Sequence, residues 1–173
     1  MNIMIVGVGG QGTLLASRIL GKVAIKEGYD VKVSEVHGMS QRGGSVVTYV
    51  KYGDKVYSPI IDRGEADLIL AFEMLEAMRA LPYLKKGGTM IANTQKMNPM
   101  PVITGAMEYP ENIEEKLSAK INLQAVDALS LAEKAGTIKA VNVVLIGLLA
   151  KSMDVDKNVW IDVIKETVPE KFL

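Results

Sequence analysis

The sequence has no cysteine among its 173 residues and only one histidine, His37. Without thiolates, the chain cannot form a disulfide, ligate an iron–sulfur cluster or build a thiolate zinc site. A single histidine is too few for the usual transition-metal site, which needs several nitrogen or sulfur ligands. We therefore expect this chain to hold no metal or other cofactor of its own, and any cluster chemistry to belong to another chain.

Neither sign of charge is in excess, since 20 Lys and Arg residues balance 20 Asp and Glu residues. The chain thus lacks the net positive field that attracts nucleic acid or an anionic membrane. Its longest apolar run, residues 143–150, is far shorter than the roughly 20 residues of a membrane-spanning helix. The opening residues lack the pattern of a secretory signal. We expect no nucleic-acid partner, no membrane span and a location in the cytoplasm.

Patterns of strands and helices alternate along the chain and predict one domain over residues 1–173. The predicted fold is α/β with three layers: a Rossmann-like, mainly parallel sheet with helices on both faces and an inserted antiparallel hairpin. Gly53-Asp54 should form the turn of that hairpin, with its second strand at 55–58. Residues 97–112 contain three prolines and are predicted to be irregular. Strands are predicted at 2–6, 31–36, 45–50, 66–72, 89–92 and 121–126, and helices at 13–27, 73–84, 112–120, 127–136, 138–152 and 156–168.

A glycine-rich segment lies between the first predicted strand and helix. Small residues there let a pyrophosphate approach the backbone, and the amino end of the following helix favours an anion. Glycines also allow a tight turn that packs the helix on the strand, with or without a ligand. This motif alone supports both interpretations equally. It matches the pattern G-x-G-x-x-G with Gly7, Val8, Gly9, Gly10, Gln11 and Gly12.

The residues after this motif weaken the prediction of a dinucleotide site. In a dinucleotide-binding fold, the acidic residue of the second strand contacts a ribose and a further crossover helix follows. Here Glu35 leads instead into a second glycine-rich segment and another strand. A separate NAD(P)- or FAD-binding domain, with Gly7, Gly9 and Gly12 at the pyrophosphate, stays as the alternative function. A structural or nucleotide-sensing module is a third alternative, without a motif of its own.

The second glycine-rich segment, residues 37–44, has neither a helical nor a strand period. Arg42 offers a planar, permanently charged group for a carboxylate or phosphate, and His37 can donate a proton near neutral pH. Both side chains also suit an internal clamp on backbone carbonyls. We favour a clamp or a binding surface over direct catalysis, and no catalytic residue is assigned. The segment comprises His37, Gly38, Met39, Ser40, Gln41, Arg42, Gly43 and Gly44.

Asn142 interrupts an otherwise apolar predicted helix, where its amide would be costly to bury without partners. We expect it to hydrogen-bond a neighbouring loop, and a sharper alternative is that it supports segment 7–12 or 37–44. Methionines at 74, 78, 97 and 100 fit core filling, and they also suit an adaptable partner interface.

Residues 35–46, together with the glycine motif at 7–12, resemble the gamma-type subunit of 2-oxoacid:ferredoxin oxidoreductases, most of all the indolepyruvate type. The resemblance continues through residues 67–72, 86–89 and 142–147, and so covers nearly the whole chain. It implies a complex that oxidatively decarboxylates a 2-oxoacid such as an arylpyruvate. The acyl group is joined to coenzyme A, the co-substrate, and two electrons pass to ferredoxin.

The resemblance also implies a large partner subunit that holds thiamine diphosphate and the iron–sulfur clusters, in agreement with the missing cysteines. This chain would be the small subunit and inactive alone. We take fourteen residues as candidates for cofactor binding or for facing the partner: Gly7, Gly9, Gly10, Gln11, Gly12, Glu35, His37, Gly38, Ser40, Gln41, Arg42, Gly43, Gly44 and Asn142.

Overall fold

A computed structural model describes residues 1–38 and 43–169, and its strands there form one six-stranded sheet. The strands are β1 (Asn2–Val8), β2 (Asp30–His37), β3 (Ser45–Gly53), β4 (Ala66–Ala71), β5 (Leu84–Asn93) and β6 (Asn122–Val126). Their order in the sheet is β2-β3-β1-β4-β5-β6. Strand β3 pairs antiparallel with both β1 and β2, while β1, β4, β5 and β6 pair in parallel. Thus β3 alone runs against the other five.

Helices cover both faces of this sheet. They are α1 (Thr13–Lys26), α2 (Met74–Ala80), α3 (Met100–Ile103), α4 (Ile113–Ser118), α5 (Ala128–Lys134), α6 (Val141–Lys151) and α7 (Lys157–Thr167), with 3₁₀ turns at Leu81–Tyr83 and Ile138–Ala140. Buried side chains of α1, α5, α6 and α7 pack on one face. Those of α2 and α4 pack on the other. The predicted three-layer α/β fold is confirmed.

The alternation of side chains along β1 explains the two cores. Ile3 and Ile5 belong to the core beneath α1, whereas Met4 and Val6 belong to the core beneath α2. Successive side chains of a strand point to opposite faces, so an unbroken apolar strand is suited to a sheet that is covered on both sides. β1 therefore lies inside the sheet, as its sequence predicts.

The antiparallel hairpin exists, but its predicted position is wrong. It consists of β2 and β3, joined across residues 38–44, rather than of two strands around Gly53-Asp54. Both edges of β3 are already paired, with β2 and β1, so residues 55–58 have no free edge to join. That segment is held by a side chain instead, because the Val56 N–H donates to Asp30 Oδ2 at 2.9 Å.

Three further predictions differ from the structure at their boundaries. The predicted helix 73–84 is the shorter α2 followed by the 3₁₀ turn. Strand β5 begins at Leu84, five residues before the predicted strand 89–92. Its pairing with β4 shifts register between Ala66 and Leu68. The segment expected to be irregular contains the single-turn helix α3. No helix in the described ranges is long and apolar enough to cross a membrane.

Candidate functional site

The carboxyl ends of five strands meet at one edge of the sheet, together with the beginning of β3. The glycine motif follows β1, residues 38–44 follow β2, and Glu73 and Gln95 follow β4 and β5. In open α/β sheets, ligands bind at this edge, because the loops and helix amino ends there converge. The sheet thus brings the two glycine-rich segments together.

Gln11 holds the glycine motif in its turn. Its Oε1 accepts from the Val8 N–H at 2.7 Å, and its Nε2 donates to the Phe72 carbonyl at 3.1 Å and to Gln95 Oε1 at 3.3 Å. A Cβ on Gly7 would lie 2.9 Å from Gln11 Oε1 and 3.0 Å from the Phe72 Cβ. Only glycine fits between them, so Gly7 serves close packing of the turn on β4.

Asn142 of α6 is packed against the amino end of α1. The residue is buried, with 8% of its surface exposed. Gly12 precedes α1 in a left-handed conformation with φ of 88°, and a Cβ there would lie 2.9 Å from Asn142 Nδ2. Asn142 Oδ1 accepts from the Val143 N–H at 3.0 Å. The Nδ2 donor therefore points to the turn where α1 begins, one of the two positions considered for it from the sequence.

Two clefts, each of about 380 Å³, open beside this turn and share Gly10 and Gly12. The first is lined by Gly9, Gly10, Gly12, Thr13, Leu14, Glu35, His37 and Val46. The second is lined by Gly10, Gln11, Gly12, Gln95, Leu129, Ile138, Lys139, Val141 and Asn142. Seven of the fourteen candidate residues thus line the clefts around one turn.

Glu35 and His37 lie at the end of β2, on the rim of the first cleft. Glu35 Oε2 accepts from Thr48 Oγ1 of β3 at 3.2 Å, and His37 is exposed. The Gly9 N–H donates to the Gly44 carbonyl at 2.8 Å and so joins the two glycine-rich segments. Gly38 and Gly43 lie in the same connection. Ser40, Gln41 and Arg42 lie outside the described residues.

Two buried carboxylates at the same edge escaped the sequence analysis. Glu73, 1% exposed, caps α2 by accepting from the Glu76 N–H. Its Oε1 accepts from the Met97 N–H at 3.0 Å and from the Tyr109 hydroxyl at 2.6 Å. Burial and the Glu73 carboxylate raise the pKa of Tyr109, which keeps that hydroxyl a donor.

Glu76, 4% exposed, connects α2 with the beginning of β3. Its Oε2 accepts from Ser45 Oγ at 2.6 Å, and its Oε1 accepts from Arg79 Nη1 at 2.5 Å. Ser45 directly follows the 38–44 connection, so Glu76 fixes one end of it. Of these two carboxylates, Glu73 could have been found from its position in the sequence. It comes directly after the apolar run of β4, at the edge where parallel strands place functional groups.

The described residues offer no metal site, because no three of their His, Asp or Glu side chains are grouped to hold an ion. The arrangement is instead suited to an anion. The first turn of α1 presents backbone N–H groups without partners inside the helix, and the helix dipole adds a partial positive charge. Asn142 Nδ2 adds a neutral donor beside them.

Residues 2–173 match the model of the pyruvate ferredoxin/flavodoxin oxidoreductase family. The chain belongs to this family. The family resemblance predicted from the two glycine-rich segments is confirmed, and the chain is a component of an oxidoreductase complex.

Curated relatives of this family match over most of the chain. The chain is 48% identical over 155 residues to indolepyruvate oxidoreductase subunit IorB of Pyrococcus horikoshii, covering 87% of this chain and 77% of the relative. It is 44% identical to the protein of the same name from Thermococcus kodakarensis, covering 98% and 87%.

Solved structures share the fold. The gamma subunit of a keto/oxoacid ferredoxin oxidoreductase from Geobacter sulfurreducens superimposes with a TM-score of 0.71 at 24% identity, over 99% of this chain and 88% of that one. The 2-oxoglutarate:ferredoxin oxidoreductase of Magnetococcus marinus, solved with 2-oxoglutarate, coenzyme A and succinyl-CoA bound, gives 0.73 at 16% identity. There the match covers 99% of this chain but 27% of that chain.

The alternative of a stand-alone dinucleotide-binding domain is not supported. In the dinucleotide fold, the strand that carries the acidic residue lies next to the first strand and parallel to it. In this oxidoreductase component the antiparallel β3 lies between β1 and β2. Glu35 is therefore one strand further from the glycine motif than a ribose ligand would be.

Proposed function

We propose that the chain is the small subunit of an indolepyruvate:ferredoxin oxidoreductase and that the turn before α1 binds the anionic part of coenzyme A. The subunit role rests on two relatives named indolepyruvate oxidoreductase subunit IorB, which are 48% and 44% identical over most of the chain. In the overall reaction a 2-oxoacid and coenzyme A yield acyl-CoA and carbon dioxide, and two electrons pass to ferredoxin.

The proposal assigns the redox chemistry to a large partner subunit. The 173 residues include no cysteine, so we assign the thiolate ligands of any iron–sulfur cluster to another chain. Thiamine diphosphate supplies the carbanion chemistry of decarboxylation when it is bound in such an enzyme. The residues of this chain would then serve binding, orientation and exclusion of water at the shared site.

The geometry around Asn142 is the main support for a coenzyme A site at this turn. Gly10 leaves the backbone open, and Gly12 lets the buried Asn142 bring its Nδ2 to the same turn. Helix α1 supplies N–H groups and a positive dipole end there. A pyrophosphate fits such an array of donors. The Magnetococcus marinus enzyme, which contains this fold, was solved with coenzyme A bound, and that observation gives further support.

Steady-state kinetics of the reconstituted complex tests both the subunit role and the coenzyme A site. The chain and its large thiamine and iron–sulfur partner should together show arylpyruvate- and coenzyme A-dependent reduction of ferredoxin. Asn142→Ala should raise the KM for coenzyme A about tenfold, because a hydrogen bond to a charged group contributes about 1.5–3 kcal/mol. The KM for the arylpyruvate should not change.

The matched control is Asn158→Ala, which removes an exposed amide from α7, and it should leave both constants unchanged. An unchanged KM for coenzyme A in Asn142→Ala would refute the binding site but not the subunit role. Full turnover by the large chain alone would refute the subunit role.

A further inference from the structure

Residues 97–109, here called the arm, leave the sheet between β5 and α4 and carry an apolar surface into solvent. Met100, Ile103 and Met107 are 66%, 64% and 65% exposed. The arm has one charged residue, Glu108, although charged residues make up 23% of the chain. Apolar side chains that cluster on the surface mark an interaction site more often than scattered ones do.

The arm has a defined conformation. It contains α3, and the Met107 N–H donates to the Pro101 carbonyl at 3.0 Å, which closes the segment on itself. Both ends are fastened to one atom, since Met97 N–H and the Tyr109 hydroxyl each donate to Oε1 of buried Glu73. A surface that is ordered beforehand loses less conformational entropy when a partner covers it.

The arm leaves the sheet at the same edge as the proposed coenzyme A site. It begins two residues after Gln95, whose Oε1 accepts from Gln11 Nε2 of the glycine motif. In the proposed reaction the thiol of coenzyme A must reach the acyl group that the partner's thiamine carries. The carboxyl edge of the sheet, with the arm at its rim, therefore has to face the partner subunit.

We propose that the apolar tip of the arm, formed by Met100, Ile103 and Met107, docks into an apolar recess of the large thiamine-bearing subunit. This inference rests on the proposed function. The absence of positive charge on the arm argues for an apolar recess rather than an acidic surface. The same fold forms 27% of one longer oxidoreductase chain, so in that enzyme it is covalently joined to a larger oxidoreductase chain.

Affinity measurements with the full chain and the purified large subunit test the docking. Ile103→Lys and Met107→Lys should each weaken the complex about tenfold or more, as expected for the loss of a buried anchor. Ile25→Lys is the matched control: Ile25 is 62% exposed, but it lies near the end of α1, at the opposite edge of the sheet. That variant should bind like the wild type.

Circular dichroism of each isolated variant checks the fold, and hydrogen exchange of the wild type gives a measurement without substitution. Amides at 99–107 should become protected when the large subunit binds. Wild-type affinity in both arm variants, or no protection of the arm in the complex, overturns the docking and leaves the proposed function standing. A wild-type chain that does not bind the large subunit refutes both. If the isolated chain forms a dimer that Ile103→Lys dissociates, the occupant is a second copy and the proposal is wrong.

Discussion

At the scale of single residues, the candidate site depends on the contact between Gly12 and Asn142. Each was notable in the sequence for its own reason: Gly12 closes a glycine motif, and Asn142 interrupts an apolar helix. The sequence offered segment 7–12 only as one of several partners for Asn142, because the contact arises only when α6 packs across the amino end of α1. A residue pattern indicates which side chains need a partner, whereas the tertiary fold decides which partner they meet.

Substitution of Gly12 should measure this contact. Gly12→Ala places an L-residue at φ of 88° and a Cβ 2.9 Å from Asn142 Nδ2. The left-handed backbone alone costs about 1–2 kcal/mol, and the collision should add to it. Gly10→Ala is the control, since Gly10 also has a positive φ, of 101°, but no neighbouring atom within 4 Å. Urea unfolding should therefore show a larger loss for Gly12→Ala.

The double variant Gly12→Ala/Asn142→Ala separates the two causes. Truncation of Asn142 removes the colliding atom, so the combined loss of stability should be smaller than the sum of the two single losses. Equal losses for Gly10→Ala and Gly12→Ala, with additive behaviour of the double variant, would show that Asn142 does not press on Gly12.

At the scale of elements, the sequence predicted which segments are strands better than how they pair. The runs that became β1 to β4 were recognisable from their apolar or β-branched residues. Gly53-Asp54 predicted a turn into a further paired strand. The sequence did not show that β3 already pairs with β2 and β1 and so has no free edge for that strand. Strand pairing depends on residues that are distant in the sequence, because α1 and β2 lie between the paired strands β1 and β3.

The arm shows a related limit. Its prolines predicted an irregular segment, yet α3 and the Glu73 contacts give it a defined shape. A buried carboxylate is rare, because desolvation of the charge is costly unless hydrogen bonds compensate. The sequence gives no sign of such compensation, because the donors Met97 and Tyr109 lie on the arm, far along the chain from Glu73 at the beginning of α2.

Removal of one of these hydrogen bonds should loosen the arm. Tyr109→Phe deletes the hydroxyl that donates to Glu73 Oε1 at 2.6 Å and should lower the free energy of unfolding by about 2 kcal/mol, as for other hydrogen bonds to a charged group. Amides at 99–107 should also exchange faster. Tyr57→Phe, at a tyrosine that is 84% exposed, should change neither quantity. Unaltered exchange in Tyr109→Phe would mean that Glu73 does not fasten the arm.

At the scale of the whole molecule, the order of the strands decides what the glycine motif can bind. The fold class, the helices on both faces and the family were predictable, because they follow from alternating elements and from two segments close in sequence to the family pattern. The position of β3 was not, since residues 45–53 would fit several places in a sheet. Yet this insertion separates the second strand from the first and removes the geometry of a dinucleotide site.

Ligand titration should therefore distinguish coenzyme A from dinucleotides. Neighbouring strands are about 4.8 Å apart, so β2 lies roughly 10 Å from β1 rather than beside it. Glu35 Oε2 already accepts from Thr48 Oγ1. We expect no heat of binding when NAD⁺ or FAD is titrated into the isolated chain or the assembled complex, and no flavin absorption in freshly purified chain. Coenzyme A should bind to the complex under the same conditions. Stoichiometric binding of NAD⁺ that Glu35→Ala abolishes would instead restore the dinucleotide interpretation, because it would require Glu35 to reach a ribose across the width of β3.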